Sequence, residues 1–241
     1  MAAKKIKTAS AFTIGSVLGR SFTLLSRRTG IFLALAFLSL LPGAIFQSYG
    51  FDRTGLGFGL INLFVGMLVQ GGVAYTVFRV MTGDEHISFG EAVSHGTSRA
   101  LPLMLTAILA GFGVGFGLML FVIPGLILLC AWSLVVPCCV VERLGPVESI
   151  KRSARLTKGH RMQIFAIAFL SALLAQFAAR LAVWLAAVLF PASLFLFTAV
   201  ILLFALLLPQ AYTLIVFTTA YYDLRTVKEG VPLERLEISF D

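Results

Sequence analysis

Charged residues are scarce in this 241-residue chain, and so are cysteine, histidine and tryptophan. Only 12% of the residues are charged and 59% are hydrophobic, with a mean hydropathy of +0.97. A soluble domain is usually about 25% charged and about 45–50% apolar. So few charges cannot keep that much apolar surface in water. The composition therefore excludes a cytosolic enzyme, a disordered protein and a fibrous protein, and it predicts an all-α, polytopic integral membrane protein.

The residue types that usually carry catalysis or bind metals form no recognisable group. Three cysteines, Cys130, Cys138 and Cys139, share one apolar stretch, so we expect them to pack rather than to form disulfides. No zinc-type spacing, G-x-S-x-G elbow or supported Ser/His/Asp triad occurs. One loop carries metal-capable atoms without an H-E-x-x-H motif, on Asp84, Glu85, His86, Glu91 and His95. We expect a solvated helix cap with an i,i+4 pair there, and we predict no catalytic residue, no metal and no cofactor.

Six apolar stretches are each long enough to cross a bilayer core of about 30 Å, which takes about 20 residues in a helix. Ile123-Pro124-Gly125 divides one long run, because proline interrupts helical hydrogen bonding and glycine permits a turn; Phe190-Pro191-Ala192-Ser193 divides the last run likewise. The predicted spans are about 31–47, 57–81, 101–122, 124–141, 162–189 and 191–222. They form a membrane domain, 31–222, between an N-terminal segment, 1–30, and a tail, 223–241.

The basic residues lie almost entirely on one side of these spans. With the N-terminus inside, 17 of the 19 Lys and Arg residues fall in inside segments, while Arg53 lies in an outer loop and Arg180 within a span. The positive-inside rule therefore predicts that both termini are cytoplasmic. Ser26-Arg27-Arg28 is similar to a twin-arginine export signal, but Pro42-Gly43-Ala44 is a poor cleavage site and five more spans follow. We expect the first span to be retained.

A short amphipathic helix is predicted before each pair of spans. On the first helix, i+3 and i+4 spacings set Ile14, Leu18, Phe22 and Leu25 opposite Ser16, Arg20, Thr23 and Arg27. On the third, the same spacings set Val147, Ile150 and Ala154 opposite Lys151, Arg152, Arg155 and Lys158. Ser88 and Glu91 have the spacing of a capping box at the start of the second helix. Pro146 and Glu148 are residue types favoured in the first turn of a helix and predict the start of the third helix, and Gly159 predicts its end.

The chain is thus predicted to repeat one unit three times, from about Phe12, Phe89 and Pro146: interfacial helix, span, hairpin, span. Each helix would lie on the inner membrane surface with its basic face toward anionic lipid headgroups. The candidate contacts with headgroups or other anions are Arg20, Arg27, Arg28, Lys151, Arg152, Arg155 and Lys158. Binding of a protein or a nucleotide phosphate by the same faces is the alternative. We expect no nucleic acid partner.

Few polar side chains lie within the predicted spans. Arg180 is about 27 Å along its helix from Met162, at 1.5 Å per residue, near the outer boundary. There it would snorkel beside Trp184, and contact with a substrate anion or a lipid phosphate is the alternative. Three glutamines at span depth require hydrogen-bond partners from neighbouring helices, namely Gln70, Gln176 and Gln210.

Two helix features add to this reading of the spans. Pro209, beside Gln210, would open a local break in the last span and free a backbone carbonyl, as in transporters. Four alternating glycines predict close helix packing through G-x-x-x-G spacings on two faces, at Gly111, Gly113, Gly115 and Gly117.

The stretch from Pro137 to His160 resembles the pattern P-x-x-x-x-E-x-x-G-x-x-E-S/A-x-x-R-S-x-x-L-T-K-G of a broad set of bacterial six-span proteins. These are similar to the membrane domain attached to some glycerophosphoryl diester phosphodiesterases and to the YciC-type inner-membrane proteins. The Ile123-Pro124-Gly125 turn, the tail from Tyr221 to Arg225 and Lys228-Glu229-Gly230 also resemble the family. The resemblance covers about Phe12 to Glu234.

The resemblance implies a location in the bacterial cytoplasmic (inner) membrane and no esterase activity. In the phosphodiesterases, catalysis belongs to a separate soluble barrel domain, and only about 19 residues follow the last predicted span here. Stand-alone members are linked to membrane organisation, lipid homeostasis or transport. We therefore expect a non-enzymatic protein that binds or organises membrane lipids, or scaffolds a membrane-protein partner or a second copy.

The alternative function is a small transporter or permease component, motivated by Arg180, the span glutamines and Pro209. A membrane-embedded enzyme is the least favoured class, because no acid/base pair lies at a shared depth.

Overall fold

Helices account for all the secondary structure in the described part of the protein. The computed structural model describes residues 12–50, 55–83, 87–189 and 195–230. The helices in these ranges are α1 (Ile14–Arg27), α2 (Thr29–Ser48), α3 (Leu56–Thr82), α4 (Phe89–Ser98), α5 (Ala100–Leu120), α6 (Val122–Trp132), α7 (Val135–Val141), α8 (Pro146–Thr157), α9 (Arg161–Leu189) and α10 (Phe195–Glu229). The all-α prediction is confirmed.

Six helical segments within the described residues are long and apolar enough to cross a membrane, as the sequence predicts. They are Thr29–Ser48, Leu56–Thr82, Ala100–Leu120, Val122–Val141, Arg161–Leu185 and Leu203–Glu229. The fourth segment combines α6 and α7. Many large apolar side chains on these segments face outward, among them Phe112, Met119 and Phe177. Such surfaces are expected where the surrounding solvent is lipid rather than water. The architecture is that of an all-α polytopic protein.

The turn between α5 and α6 lies slightly upstream of the predicted proline break. α5 ends at Leu120, and Phe121 is extended, with φ −156° and ψ 143°. α6 begins at Val122, so Pro124 occupies its first helical turn, where an N–H has no intrahelical partner to lose. Proline therefore marks the start of the new helix rather than the turn itself. The second predicted turn, 190–193, lies outside the described residues.

The fourth span contains a break that the sequence prediction does not include. α6 ends at Trp132 and α7 begins at Val135, with a turn at Ser133 and Leu134. Pro137 lies in the first turn of α7 and cannot donate a backbone hydrogen bond to the preceding turn. The proline thus helps to set where the second helical piece begins.

The three helices that precede the pairs of spans, α1, α4 and α8, gather at one end of the bundle, which we call the polar end. It is formed by α1, α4 and α8 together with the C-terminal turns of α3, α7 and α10. Phe78 of α3 stacks on Tyr222 of α10 with ring centroids 5.9 Å apart, and His95 of α4 stacks on Tyr75 of α3 at 3.9 Å. The order of a short helix and two spans occurs three times, in agreement with the predicted repeat. We call the opposite end the far end.

The predicted helix ends are confirmed. The Glu91 backbone N–H donates to Ser88 Oγ at 3.4 Å, and the Ser88 N–H donates to Glu91 Oε2 at 3.1 Å, which together form a capping box. Pro146 begins α8, and Glu148 accepts a hydrogen bond from the N-cap backbone. Gly159 follows the helix with φ +88°, a left-handed conformation that glycine adopts easily.

Of the predicted apolar face of α1, Ile14, Leu18 and Leu25 pack against the core of the protein, and Phe22 does not. Phe22 is 66% exposed, although the sequence places it on the apolar face with Ile14, Leu18 and Leu25. The buried residues are Val17, Ser21, Leu24 and Leu25. Ser21 tolerates this position because its hydroxyl donates to the Val17 carbonyl of the same helix at 2.8 Å. The face that docks on the protein therefore includes Ser21 and leaves Phe22 outward.

The buried face of α8 also differs from its predicted apolar face. Val147 is 52% exposed, whereas the buried residues are Ser149, Ser153, Leu156 and Thr157. Three of these four carry hydroxyl groups. The sequence prediction placed the apolar face on the membrane surface and did not identify the face that docks on the protein. The α8 helix instead docks through small polar side chains that find hydrogen-bond partners in the bundle.

Glycines bring α4 into direct backbone contact with α3. A Cβ placed on Gly96 would lie 2.3 Å from the Leu68 carbonyl oxygen, and one on Gly72 would lie 2.9 Å from the Ala92 carbonyl oxygen. Real Cβ atoms essentially never approach other atoms this closely. The α4 helix is therefore packed against α3 rather than resting only on a membrane surface.

Candidate functional site

The polar end holds a charged network of two acids and two arginines, which we define as Glu142, Arg152, Arg225 and Glu229. Arg152 Nε on α8 donates to both carboxylate oxygens of Glu142, at 2.9 and 2.7 Å. Arg152 Nη2 donates to Glu229 Oε2 on α10 at 2.8 Å. Arg225 Nε lies 3.3 Å from the same Glu229 oxygen. The charged network therefore ties the end of α7 to α8 and α10 without a net charge.

A buried tyrosine completes the charged network. The Tyr221 hydroxyl donates to Glu142 Oε1 at 2.8 Å and accepts from Arg225 Nη1 at 2.9 Å. Burial disfavours the charged form of Arg152, but its hydrogen bonds with Glu229 and Glu142 outweigh that effect and raise the pKa of Arg152 above its ordinary value. An arginine held in this way stays ionised and does not act as an acid or a base. The arrangement is suited to clamping helices together.

A second ion pair joins the first helix of the chain to the last. Arg20 Nη1 on α1 lies 2.6 Å from Asp223 Oδ1 on α10, and the Asp223 side chain is 0% exposed. The same two helices are also joined by the Tyr212 hydroxyl of α10, which donates to the Leu18 carbonyl of α1 at 3.2 Å. A fully buried carboxylate needs a partner of opposite charge to remain ionised. The Arg20–Asp223 pair is therefore a structural attachment for α1.

The hydroxyl face of α8 fills the break between α6 and α7. Ser153 Oγ donates to the Ala131 carbonyl at 2.8 Å and accepts from the Leu134 N–H at 3.2 Å. Thr157 Oγ1 also donates to the Ala131 carbonyl, at 3.3 Å. Backbone groups freed within a membrane must be satisfied by the protein, because lipid offers no hydrogen bonds. The α8 helix therefore closes a gap that would otherwise expose polar backbone.

Acidic side chains in the described part of the chain are all engaged within the protein. Two cap helices and three form ion pairs: Glu91 and Glu148, then Glu142, Asp223 and Glu229. Basic side chains are far more numerous in the same ranges. The polar end therefore carries a positive charge that the described acids do not neutralise.

The structure divides the predicted headgroup contacts into two groups. Arg20 and Arg152 form the ion pairs described above, which the sequence prediction does not anticipate. The remaining predicted contacts are exposed or partly exposed at the polar end, namely Arg27, Arg28, Lys151, Arg155 and Lys158. Only this second group is placed to meet a molecule outside the protein.

The polar residues predicted at span depth lie in separate surroundings. Arg180 and Gln176 are both exposed on α9. Gln210 Nε2 on α10 donates to Ser39 Oγ on α2 at 2.8 Å, as expected for a hydrogen bond between helices. Gln70 lines a small cavity of about 160 Å³ between α3, α7 and α10. Within the described part of the chain, these side chains are not brought together into one site.

The other predicted helix features have simple packing consequences. α10 continues as a helix through Pro209, without the local break that the sequence suggested. A Cβ on Gly113 would lie 2.3 Å from the Trp132 ring, and one on Gly117 would meet the α6 backbone at 3.1 Å. Gly111 and Gly115 have nothing within 4 Å of an added Cβ. One glycine face therefore packs closely on α6, while the other faces outward.

The thiols and the acidic loop residues do not assemble a metal site in the described ranges. All three cysteines are free and buried. The residues described contain no group of three or more His, Cys, Asp or Glu placed to hold a metal ion. Asp84, Glu85 and His86 lie outside the described residues. His95 Nδ1 lies 3.1 Å from the Glu91 backbone carbonyl, while the Glu91 carboxylate is used in the capping box.

No protein-family model matches the chain, and no curated protein or solved structure matches it.

The polar end is the main concentration of charged side chains in the described structure, but the sequence prediction did not include Asp223, Arg225 or Tyr221 as site residues. One signal pointed to them: an ionisable residue within or at the end of an apolar span needs a partner. Asp223 and Glu229 both lie in the segment identified as the sixth span.

Proposed function

We propose that the protein is a non-enzymatic integral membrane protein that binds anionic lipid around its polar end, and that it organises the surrounding membrane or holds a partner there. The observation that carries the proposal is the engagement of every described acid within the protein. The charges of Lys151 and Arg155 on α8 and of Lys158 at its C-cap are exposed, and no described acid is left over to neutralise them. Each Lys or Arg near an anionic membrane surface contributes about 1 kcal/mol of attraction.

The distribution of basic residues supports a cytoplasmic position for the polar end and both termini. Basic residues near the ends of spans remain on the cytoplasmic side, where anionic lipid is also found. The resemblance to bacterial inner-membrane proteins supports the cytoplasmic membrane of a bacterium as the location.

The residues that carry the family resemblance have structural roles at the polar end. Glu142 and Arg152 belong to the charged network, Ser153 fills the break between α6 and α7, and Gly159 ends α8. These roles concern folding rather than chemistry. They support a membrane-domain function without catalysis, such as that of the membrane domain of glycerophosphodiester phosphodiesterases.

Native mass spectrometry of the purified protein tests the proposal. The protein would be extracted from vesicles that contain equal amounts of phosphatidylglycerol and phosphatidylcholine, and the lipids that remain associated would be counted. We expect several-fold enrichment of phosphatidylglycerol. The triple variant K151Q/R155Q/K158Q should lose most of this enrichment, whereas Arg180→Gln at the far end should keep it. Equal retention of the two lipids by the unaltered protein would overturn the proposal.

The transporter alternative receives no specific support from the described contacts. Its motivating residues, Arg180, Gln176, Gln210 and Gln70, lie in separate surroundings, and α10 is continuous through Pro209. We therefore propose no transported substrate.

A further inference from the structure

An apolar groove of about 270 Å³ lies between α6 and the first turn of α9. Its α6 wall consists of Ile123, Leu126, Ile127 and Cys130, which share one face of the helix because they are spaced three or four residues apart. The facing wall is formed by the start of α9, including Arg161. The described lining of the groove therefore combines apolar side chains with one guanidinium.

The guanidinium of Arg161 has an unsatisfied donor at the groove. Its Nε is buried and has no hydrogen-bond partner within the described part of the protein. The first turn of α9 contains no acidic residue, so the helix itself supplies no acceptor there. A buried donor on a charged group costs free energy when it is left without an acceptor. A phosphate oxygen from outside the protein would satisfy it with a charge-assisted hydrogen bond.

The start of α9 is held in a fixed position beside the groove. Gly159 turns the chain out of α8 with φ +88°. His160 Nδ1 then lies 2.6 Å from Gln163 Oε1, and the His160 ring packs edge-on against Phe12 with centroids 5.5 Å apart. The backbone N–H groups in the first turn of a helix also carry partial positive charge. The same fixed end of α9 therefore presents both this charge and the guanidinium of Arg161.

The groove has the direction of a lipid that enters the membrane. Arg161 is the first residue of the span Arg161–Leu185, so its guanidinium lies at the boundary of a span. From Cys130 to Ile123 the groove follows α6 for about 10 Å, at 1.5 Å per residue, toward the turn between α5 and α6. Ile123 is 72% exposed and Met162 is 79% exposed, so the groove is open to the surrounding lipid. An anionic group at Arg161 could thus continue into an apolar chain along α6.

We propose that the groove between α6 and α9 binds one anionic phospholipid, with its phosphate at Arg161 and one acyl chain along α6 from Cys130 to Ile123. The guanidinium matches the negative headgroup, and the apolar wall matches the chain, which a soluble phosphate ester does not have. This inference rests on the proposed function and assigns it a specific site. That site uses Arg161 rather than the exposed charges of Lys151 and Arg155 on α8.

Photo-cross-linking in vesicles tests the inference on the full-length protein. The vesicles contain equal amounts of phosphatidylglycerol and phosphatidylcholine, and one of the two lipids carries a diazirine in its acyl chain. Peptide mass spectrometry then gives the ratio of phosphatidylglycerol to phosphatidylcholine cross-links on residues 123–130. Dividing it by the same ratio on residues 105–112 of α5, where Leu105, Leu109 and Phe112 also face outward, removes any general enrichment. We expect this relative ratio to be about five, as one arginine near an anionic headgroup predicts.

Arg161→Gln should lower the relative ratio to about one, because it removes the positive charge that distinguishes the two headgroups. Arg180→Gln is the matched control on the same helix and should leave the ratio unchanged, since Arg180 is exposed away from the groove. The melting temperatures of both variants would be compared with that of the unaltered protein. A relative ratio of one in the unaltered protein, or an undiminished ratio in Arg161→Gln, would overturn the inference.

A second variant tests the acyl-chain part of the groove without changing its charge. Ile127→Trp places a larger side chain in the groove and should lower the cross-links of both lipids on residues 123–130 several-fold. Ile61→Trp on α3 is the matched control, because Ile61 and Ile127 are each 44% exposed and Ile61 lies on another helix. Equal cross-linking in Ile127→Trp and Ile61→Trp would show that no chain occupies the groove.

The triple variant K151Q/R155Q/K158Q separates this inference from the proposed function. It should reduce the general enrichment of phosphatidylglycerol and leave the relative ratio at the groove unchanged. If Arg161→Gln has no effect while the general enrichment is present, the groove inference is wrong and the proposed function stands. If the general enrichment is absent while the relative ratio depends on Arg161, the proposed binding around α8 fails and the groove stands as a site for a single lipid.

Glycerol 3-phosphate separates a lipid from a soluble phosphate ester as the occupant. An excess of this ester is added to the vesicles before irradiation. A lipid held by both its headgroup and its chain should not be displaced, so the relative ratio should stay the same. A fall of the ratio to about one would show that the phosphate alone determines binding and would overturn the role of the acyl chain.

Discussion

The two halves of α3 have opposite environments. From Met67 to Met81, toward the polar end, nearly every side chain is buried, whereas from Leu56 to Phe64, toward the far end, most are exposed. Ion pairs, capping bonds and close glycine contacts are likewise concentrated at the polar end. The far end presents apolar side chains such as Phe112 and Met119 to the surroundings. Specific contacts between helices therefore hold one end, while lipid solvates the helices at the other.

This comparison predicts that equal chemical changes will have unequal effects at the two ends. The largest effect is expected for Arg20→Met, because it leaves the fully buried Asp223 carboxylate without its counter-charge. Removing one partner of a buried pair costs about 3–5 kcal/mol. The free energy of unfolding would be measured by SDS titration in mixed micelles. The double variant R20M/D223N should recover most of the loss, and no recovery would show that Arg20 acts through other contacts.

The second prediction concerns the contact between α3 and α4. Gly96→Ala should reduce the free energy of unfolding by about 1–3 kcal/mol, since its Cβ would fall 2.3 Å from the Leu68 carbonyl oxygen. Gly59→Ala is the matched control at the far end of α3, because an added Cβ there meets nothing within 4 Å. Thermal unfolding in detergent would compare the two. Equal losses would contradict the difference in packing between the ends.

The third prediction tests how α8 closes the break in the fourth span. Ser153→Ala leaves the Leu134 N–H without the acceptor that it has in the structure. A buried backbone group left unsatisfied costs about 1–3 kcal/mol. Ser94→Ala, at an exposed position on α4, is the control and should change the stability little. Hydrogen exchange should also accelerate at Leu134 in Ser153→Ala, and unchanged protection there would mean that another group replaces the serine.

The smallest effect is expected for Arg180→Leu. Arg180 is exposed on α9, so its loss should change the free energy of unfolding by less than about 0.5 kcal/mol. The same substitution at Arg152 should be far more damaging, because Glu142 and Glu229 would each lose their main partner. A large loss of stability in Arg180→Leu would show that the far end also depends on a specific polar contact.

Local features of the fold were predictable from the sequence. The capping box at Ser88 and Glu91, the helix start at Pro146 and the left-handed Gly159 depend on residues within one turn of each other. The apolar spans depend only on length and composition. Such properties follow from short stretches of chain, so inspection of the sequence recovers them.

The docking faces of the short helices were not predictable in the same way. The apolar pattern of α8 points to Val147, yet Ser149 and Ser153 are buried. Ser153 is inside because the chain breaks between α6 and α7 and offers it an unpaired carbonyl and N–H. A sequence pattern records which side chains avoid water, but it does not record where another helix has backbone groups to satisfy.

The charged residues of the polar end also have some properties that the sequence determines and others that only the packing of the helices determines. The sequence alone determined that apolar helices of spanning length alternate with basic segments, because chain length and hydrophobicity act residue by residue. Only the tertiary structure decided which charges are neutralised internally and which face outward. Arg20 finds Asp223, and Arg152 finds Glu142 and Glu229, across helices far apart in the chain. Coulombic attraction and hydrogen bonding depend on distance in space, so these pairings exist only once the helices have packed.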